Sequence, residues 1–372
     1  MIYCFYYSIA PNTAPGNRFL SFLRGFDELG EDVTAVLLYP NKEHYKINCV
    51  FKRVKVVYLW REWPIARRIL DKIYCGYSFK RFLASLRPGD TVFCYGSPEY
   101  VADFVQVKGV RVFHERTESP EVLPLSTQES QDRYLRACKE LSGLFVITTS
   151  LKFFFVKHGV EENRIRIVNI TVDTNRFLHL EKKECKERYI AYCGTVSNNK
   201  DGVDDLIKSF AIVVNKHPNV KLLIIGQIPS QTVKAENVKL IDDLGLRDRV
   251  VFTGMVTSTE MPQLLKEATV LALARPDSLQ AQNGFPTKLG EYLMTGNPVV
   301  VTKVGDIPLF LRDGESALLS EQRNPEDFAA KLCWVIENPE RASLIGQNGK
   351  GVALREFNYL TESKKIIDFI HG

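Results

Sequence analysis

The chain has 372 residues, and a single hydrophobic core seldom grows beyond about 250 to 300 residues, so two domains are expected. A hydrophobic content of 45% and a charged content of 25% are ordinary for a soluble globular protein, and no run of 18 apolar residues suggests a membrane span. The eight cysteines are scattered without C-x-x-C spacing or a Cys/His cluster, which argues against a disulfide framework and a zinc site and predicts reduced thiols in a cytoplasm.

Short apolar runs alternate with helical patterns along the first half, which predicts βα units and a parallel sheet. The clearest helix carries Phe19, Phe22, Leu23, Phe26 and Leu29 at helical spacing. The predicted strands are Met1 to Tyr7, Val33 to Tyr39, Val54 to Tyr58, Val92 to Tyr95, Val110 to His114, Leu144 to Thr148 and Ile165 to Val168.

The net charge of +5 is unevenly distributed. Between Lys46 and Arg87, eleven basic residues face only Glu62 and Asp71. Aromatic residues are interleaved with them, namely Trp60, Trp63, Tyr74, Tyr77 and Phe79. Such a mixture suits the headgroup region of an anionic membrane, whereas the simpler interpretation is a solvated helix face over an ordinary core. No nucleic-acid reader motif is present, so nucleic acid is not expected as a partner.

A second series of strands begins at Tyr189, after a charged run without a periodic apolar face. Its members are Tyr189 to Cys193, Lys221 to Gly226, Val250 to Thr253, Val270 to Ala274 and Pro298 to Thr302. The fold class predicted is therefore α/β, with two Rossmann-like β/α/β domains that share a cleft, because ligands bind beyond the carboxyl ends of parallel strands. The predicted limits are 1–172 for the first domain, 173–188 for a linker, 189–352 for the second domain and 353–372 for a C-terminal helix.

Three loops in this scheme have the composition of anion sites. Gly16 and Asn17 lie between the first strand and the Phe-striped helix, where Asn17 is predicted to begin that helix. Gly194, Thr195 and Lys200 follow the first strand of the second domain, and Asp201 is predicted to cap the next helix.

The third loop, 283–286, leads into a helix predicted to start at Pro286, with Leu289, Tyr292 and Leu293 on its buried face. Lys288 is the unusual residue, because a cation in the first helical turn opposes the helix dipole. A bound phosphate would reverse the sign of that effect, so this helix start is predicted to hold an anion.

The segment from Asn283 to Leu293 resembles the C-terminal signature of the retaining nucleotide-sugar glycosyltransferases of family 4, which have the GT-B architecture. The segment Ile170 to Phe177 is similar to the interdomain crossing of that family, and its final helix commonly returns to the first domain, as 353–372 is expected to do.

The resemblance implies roles for individual residues. Glu291 falls on the acid that contacts the donor ribose, and Asn283 stands where the family has the acid that contacts the donor sugar. Lys200 matches the lysine of the phosphate clamp, whereas Thr195 and Val196 stand where the family has an arginine, a loss that Lys288 or Arg275 would offset. The donor-binding set implied is Gly16, Asn17, Gly194, Thr195, Lys200, Val256, Asn283, Gly284, Phe285, Thr287, Lys288 and Glu291.

Catalytic candidates follow from the same resemblance, which places a His or an acid at the end of the strand Val110 to His114. His114 is the residue in register and Glu118 is the competing candidate; Asn283 is the third member of the set. No Asp-x-Asp pair has a metal-binding context, so a transferase without metal or other cofactor is expected.

The function expected is a retaining glycosyltransferase that moves a sugar from a nucleotide-sugar donor, UDP-sugar favoured and GDP-sugar the other option, to a hydroxyl of a glycan or lipid-linked acceptor. The setting expected is surface polysaccharide biosynthesis in the cytoplasm, with peripheral contact at the inner face of the membrane. The alternatives are a non-catalytic nucleotide-sugar-binding partner subunit of another transferase and, less favoured, a sugar-nucleotide epimerase. A nicotinamide dehydrogenase is disfavoured because neither glycine loop has dinucleotide spacing.

Overall fold

The computed structural model describes residues 1–9, 13–38, 47, 50–59, 68–182 and 187–372, with the side chains of 68–72 left out. The chain divides into two compact units, 1–171 with 359–372, and 172–358. Lys46, Trp60, Glu62 and Trp63 lie outside the described residues, so the structure does not address the parts of the predictions that rest on them.

The first unit is built on a seven-stranded sheet in the order β3-β2-β1-β4-β5-β6-β7, and all its strands are parallel. The strands are β1 Ile2–Tyr6, β2 Val33–Leu37, β3 Val54–Tyr58, β4 Thr91–Tyr95, β5 Arg111–Arg116, β6 Gly143–Val146 and β7 Ile165–Ile167. The helices are α1 Ala14–Glu28, α2 Arg68–Ser85, α3 Pro98–Val105, α4 Gln128–Cys138 and α5 Thr149–Lys157.

The second unit has a six-stranded parallel sheet in the order β10-β9-β8-β11-β12-β13. The strands are β8 Tyr189–Cys193, β9 Lys221–Ile225, β10 Val250–Gly254, β11 Val270–Leu273, β12 Val299–Thr302 and β13 Leu318–Ser320. The helices are α6 Asn198–Asp201, α7 Val203–Lys216, α8 Gln231–Asp243, α9 Glu260–Glu267, α10 Leu279–Asn283, α11 Thr287–Met294, α12 Ile307–Phe310, α13 Pro325–Glu337 and α14 Pro339–Glu356.

The last helix, α15, runs from Tyr359 to His371 and packs in the first unit, against α1. Ile366, Ile367 and Ile370 enter the apolar core that contains Phe19 and Phe145. A single helix was predicted over 353–372, but α14 ends at Glu356, α15 begins at Tyr359, and residues before Tyr359 belong to the second unit.

The segment predicted as a linker, 173–188, is also more ordered than its composition suggested. A short 3₁₀ turn spans Thr174–Arg176, and Phe177 is buried. Val172 forms a parallel bridge with Asn358, so the chain segments that enter and leave the second unit are hydrogen-bonded to each other. Residues 172–182 therefore form part of the second unit, and 183–186 lie outside the described residues.

The basic and aromatic segment divides between core and surface. Phe79 is buried in the first unit's core with Phe5 and Phe104. Tyr77, in contrast, is 58% exposed and lies beside the Arg81 guanidinium. Within the described residues, no helix combines the length and the apolar character that crossing a membrane requires.

Candidate functional site

The second sheet is extended first on one side of β8 and then on the other, since β9 and β10 lie on one side and β11 to β13 on the other. In an open parallel sheet, such a switch point leaves a crevice beyond the carboxyl ends of the two strands, where ligands bind. Gly194 and Thr195 follow β8, and α10 and α11 follow β11. The fold therefore brings two of the predicted anion loops to the same edge of one sheet.

Helix α11 is fixed to the end of β8 by one tyrosine. Leu289, Tyr292 and Leu293 are buried, as their spacing predicted. The Tyr292 hydroxyl accepts a hydrogen bond from the Cys193 amide at 2.5 Å and lies 3.3 Å from the Cys193 carbonyl oxygen. The first turn of α11, which begins at Thr287 and not at Pro286, is thus held beside Gly194.

Lys288 is already paired with a carboxylate from another helix. Its ammonium donates to Asp201 and, at 3.2 Å, to the Tyr192 hydroxyl. Arg275 Nη1 lies 3.6 Å from the other Asp201 oxygen, and both Arg275 and Asp201 are almost fully buried. Asp201 is the last residue of α6 and pairs with these cations, so its predicted role as cap of α7 is wrong; Gly202 holds that position.

Asp201 supplies the anion that Lys288 was predicted to need. Burial alone would raise the pKa of the Asp201 carboxyl, but Lys288 and Arg275 outweigh burial and hold that pKa below its usual range. Lys288 remains 16% exposed at the start of α11, which is the position where an anion would be stabilised.

Gly194 is required where Lys288 crosses the end of β8. A Cβ atom at this position would lie 2.5 Å from Lys288 Nζ, and the backbone φ is +152°. Any side chain here would displace the lysine, so glycine keeps both the backbone and the ammonium at the sheet edge. Thr195 is exposed, and its carbonyl accepts from Tyr192 at 2.8 Å.

Lys200 lies in α6, where its backbone amide donates to Ser197 Oγ at 3.1 Å. The side chain is partly exposed. Helix α6 is also tied to α10, because Ser278 Oγ donates to the Asn199 carbonyl at 2.8 Å. The predicted clamp lysine and Asn283 thus belong to two short helices in contact.

The segment from Asn283 to Thr287 is shaped by packing. Asn283 is the last residue of α10, where a loop was expected, and the Gly284 amide donates back to the Gln280 carbonyl. Phe285 is buried against Phe310 and Phe357. The aromatic anchor fixes the chain just before α11, and Thr287 is partly exposed at its start.

Glu291 makes an ion pair with Arg176, which was not predicted. Arg176 Nη1 donates to Glu291 Oε1 at 2.6 Å, and Arg176 Nη2 donates to the Ser258 carbonyl at 3.2 Å. Burial raises the pKa of the Glu291 carboxyl, while Arg176 opposes that rise. Val256, the predicted base contact, is partly exposed two residues before Ser258.

The first unit places its candidates differently from the prediction. His114 is fully buried, with Nδ1 2.8 Å from the Cys94 carbonyl and Nε2 3.0 Å from the Tyr134 hydroxyl. Burial lowers the pKa of His114 to about 3, so the ring is neutral and held in the core. Glu118 is partly exposed, and its backbone carbonyl accepts from Arg116 Nε.

The glycine loop of the first unit also differs in detail. Helix α1 begins at Ala14 with Thr13 as its cap, three residues before the predicted start at Asn17. The Gly16 amide donates to Thr13 Oγ1 and the Asn17 amide to the Thr13 carbonyl. Both amides therefore have hydrogen-bond partners inside the first turn. An anion at this end of α1 would have to bind backbone N–H groups of residues before Gly16.

The sequence and the fold are similar to those of known proteins. Residues 187–338 match the family model for glycosyl transferases group 1. The second unit resembles a group 1 glycosyl transferase. The resemblance predicted from the sequence is therefore confirmed, and the matched residues include Gly194, Lys288 and Glu291.

Individual relatives agree with that match. A D-inositol 3-phosphate glycosyltransferase of Segniliparus rotundus is 24% identical over 201 residues, which are 52% of this chain and 43% of the relative. An MMP alpha-(1->4)-mannosyltransferase of Mycolicibacterium hassiacum is 25% identical over 232 residues, 62% of this chain and 53% of the relative. The chain thus spans about half the length of the curated relatives it matches.

The fold has a solved counterpart along its whole length. The crystal structure of Anabaena HepE in complex with UDP-glucose has a TM-score of 0.74 and 16% identity, covering 100% of this chain and 99% of HepE. At that identity the likeness concerns the fold. The predicted class, α/β with two Rossmann-like domains of GT-B type, is confirmed.

Sequence reasoning missed the ionic partners of the predicted residues. Arg176 lies in a segment recognised for its likeness to an interdomain crossing, and nothing in its spacing connects it with Glu291, 115 residues away. Tyr192 reads as an apolar strand residue, although a hydroxyl at the end of a buried strand signals a polar partner.

Proposed function

We propose that the chain is a retaining glycosyltransferase that moves a sugar from a nucleotide-sugar donor to a hydroxyl acceptor. A UDP-sugar is the favoured donor, since the similar fold of HepE was solved with UDP-glucose, and a GDP-sugar is the second option. The acceptor is a glycan or lipid-linked saccharide of surface polysaccharide assembly, and the enzyme works in the cytoplasm without a metal or other cofactor.

One observation carries the proposal: Lys288 lies against Gly194 at the switch point of the second sheet, and Glu291 of the same helix is within electrostatic range of Lys288. A departing nucleoside diphosphate gains negative charge, which fixed cations and helix N–H groups stabilise. Lys288 and the start of α11 would hold the diphosphate with Lys200 and Thr195. Glu291 would accept from the ribose, and Asn283 would orient the donor sugar.

Retention follows from the resemblance, together with a mechanism in which the departing phosphate itself accepts the acceptor's proton. The burial of His114 supports this assignment, because a neutral histidine whose ring nitrogens both have partners in the core is not placed to take that proton. His114 then stabilises the end of β5, and Glu118 remains a partly exposed acid of that segment.

The peripheral membrane contact is part of the same proposal. Tyr77 and Arg81 are exposed on one helix, as a surface that meets anionic headgroups requires. Binding to vesicles with and without phosphatidylserine tests this step, with an R81E variant as the comparison.

The principal experiment is a thermal-shift panel of UDP, GDP, CDP and ADP sugars, followed by donor-hydrolysis and transfer assays. A ligand at 100 times its Kd should stabilise the protein by about 2.7 kcal/mol. A Glu291→Ala variant should raise the donor KM or abolish turnover and keep the fold. Wild-type kinetics in that variant would remove Glu291 from the site, and no stabilisation by any nucleotide would overturn the proposal.

A second function is favoured by one specific observation. Asn283 and Thr195 stand where the signature that the sequence resembles has charged residues, so the chain is also a candidate for a nucleotide-sugar-binding partner subunit without turnover. The two functions separate cleanly, because the partner subunit predicts measurable nucleotide binding with neither hydrolysis nor transfer across an acceptor panel.

A further inference from the structure

Arg176 joins three segments of the second unit. It belongs to the 3₁₀ turn Thr174–Arg176, it bonds Glu291 of α11 at 2.6 Å, and it bonds the Ser258 carbonyl at 3.2 Å, in the segment that follows β10. Its own turn is well anchored. The Asp173 side chain accepts from the Asn175 amide, and the adjacent Phe177 is buried.

The contact between Arg176 and Glu291 uses only one of the two carboxylate oxygens. The guanidinium bonds Oε1, and among the residues that the structure describes no hydrogen bond is donated to Oε2. A carboxylate has lone pairs on both oxygens, so Oε2 retains its capacity to accept. Arg176 and Glu291 are each about one-quarter exposed, at 25% and 24%, so the pair is open to solvent on one side.

We propose that Arg176 is a positioning residue for nucleoside recognition: it fixes the ionised Glu291 carboxylate so that Oε2 accepts hydrogen bonds from the ribose hydroxyls of the donor. This inference rests on the proposed function. The same guanidinium also donates to the Ser258 carbonyl, in the segment that carries Val256.

The charges around Glu291 explain why a cation is needed. Burial disfavours the carboxylate and Asp173 adds repulsion, while Arg176 and Lys288 favour it. The Cys193 thiol and the Tyr292 hydroxyl are neighbours from β8 and α11, and burial raises the pKa of both, so they stay neutral near pH 7. Without Arg176, Glu291 would take up a proton at a higher pH and lose its value as an acceptor.

The test compares UDP with 2′,3′-dideoxy-UDP by isothermal titration calorimetry; if the nucleotide panel selects another base, the matched pair of that base is used. A hydrogen bond to a charged group corresponds to about 10- to 100-fold in affinity, so wild type should prefer UDP by that factor. Arg176→Gln should reduce the preference to about threefold or less and leave dideoxy-UDP affinity within about threefold. Arg176→Lys should retain part of it.

The pH dependence of the UDP preference is a second measurement, which would not change if Arg176 had only a structural role. In wild type, the UDP preference should fall as pH drops through the Glu291 pKa, since protonation removes the acceptor. In Arg176→Gln this fall should start at a higher pH, and in Glu291→Gln the preference should be small at every pH. Arg247→Gln, which removes an exposed pair with Asp242 in the same unit, is the matched control and should behave as wild type.

Two results would overturn the inference while leaving the proposed function intact. One is an unchanged UDP preference and pH profile in Arg176→Gln; the other is tighter UDP binding in that variant, which would mean that Arg176 blocks the site. If wild type binds no nucleotide of the panel, both proposals fail together.

Discussion

Asp201 illustrates how one buried carboxylate organises the candidate site. It lies between Lys288 and Arg275, and the Tyr192 hydroxyl is 2.8 Å from it. A buried ion pair contributes little net stability when complete, because desolvation offsets the Coulomb attraction, but its disruption leaves an uncompensated charge. The cluster is therefore more sensitive to the loss of one member than its net contribution suggests.

The substitution Asp201→Asn should lower the free energy of unfolding by about 3–5 kcal/mol, since the buried Arg275 and the largely buried Lys288 would lose their shared anion. Thermal and urea unfolding of the free protein measure this loss. Asp242→Asn, which removes an exposed carboxylate paired with Arg247, is the control and should unfold like wild type. Equal behaviour of the two variants would show that the cluster is not a buried ionic unit.

Because burial lowers the pKa of His114, the free energy of unfolding should decrease as the pH falls. Its folded-state pKa, about 3, lies below the unfolded value of about 6.5, so its stabilising contribution is complete above pH 6.5 and is lost as the pH falls towards 3. At pH 5 the loss is about 2 kcal/mol, from about 1.4 kcal/mol for each pH unit.

The comparison of wild type with His114→Gln isolates this contribution, because the remaining histidines titrate in both proteins. Between pH 7.5 and pH 5, wild type should lose about 2 kcal/mol more stability than the variant in chemical unfolding. Parallel losses would mean that His114 is protonated in the folded protein.

At the scale of secondary-structure elements, the apolar runs of the sequence predicted most of the strands. Each of the predicted strands corresponds to one of β1 to β12, because a strand buried on both faces has a continuous apolar sequence. The strand β13, Leu318–Ser320, was not predicted; its apolar run is limited to Ala317, Leu318 and Leu319. The start of α1 was misplaced because Thr13 caps the helix through its side chain while Pro15 and Gly16 suggested a loop.

The candidate site was predictable only in part. A single sequence shows that Lys288 opposes its helix dipole, but it does not show that the compensating charge comes from Asp201, 87 residues earlier. The Arg176–Glu291 pair likewise depends on how α11 packs beside the 3₁₀ turn. Such pairings depend on the three-dimensional packing of the sheet and helices, which local spacing does not encode.

Packing between α1 and α15 reverses the usual effect of replacing a helical glycine. A Cβ atom at Gly25 would lie 2.1 Å from Ser363 Oγ and 2.5 Å from Ser363 Cβ. Gly25→Ala should therefore destabilise the protein by about 1–3 kcal/mol, as overpacking does. At Gly351 of α14, none of the described residues outside the surrounding turns of the same helix comes within 4 Å of the added Cβ, so Gly351→Ala should stabilise by about 0.5–1 kcal/mol.

Urea unfolding of these two variants gives the signs directly. The double variant Gly25→Ala with Ser363→Gly should recover part of the loss, because it removes the side chain that the new Cβ meets. Stabilisation by Gly25→Ala alone would show that α1 and α15 are not in close contact.

At the scale of the whole molecule, the first unit is discontinuous in sequence. Its last part, Tyr359–Gly372, supplies Ile366, Ile367 and Ile370 to the core, and Arg111 Nη1 bonds the Ile370 carbonyl at 2.8 Å. Glu362 accepts from the Asn169 amide at 2.7 Å. The second unit, 172–358, is continuous and contains none of these residues.

Truncation after Asn358 should therefore affect the two units unequally. The first unit should lose cooperative unfolding and expose apolar surface, which dye binding reports, while a fragment near 172–358 should resist limited proteolysis. Uniform degradation of the truncated chain, or an unchanged first unit, would contradict this expectation.

The return of the chain to the first unit also sets an order for biosynthesis. Residues 1–171 leave the ribosome well before α15, and the intervening 187 residues take roughly 10 to 40 s at 5–20 residues per second. During that interval the first unit lacks α15, so Phe113 and Phe145, whose rings pack against Phe369 in the finished chain, lack that cover. Newly made protein should consequently be a better chaperone client than the finished chain.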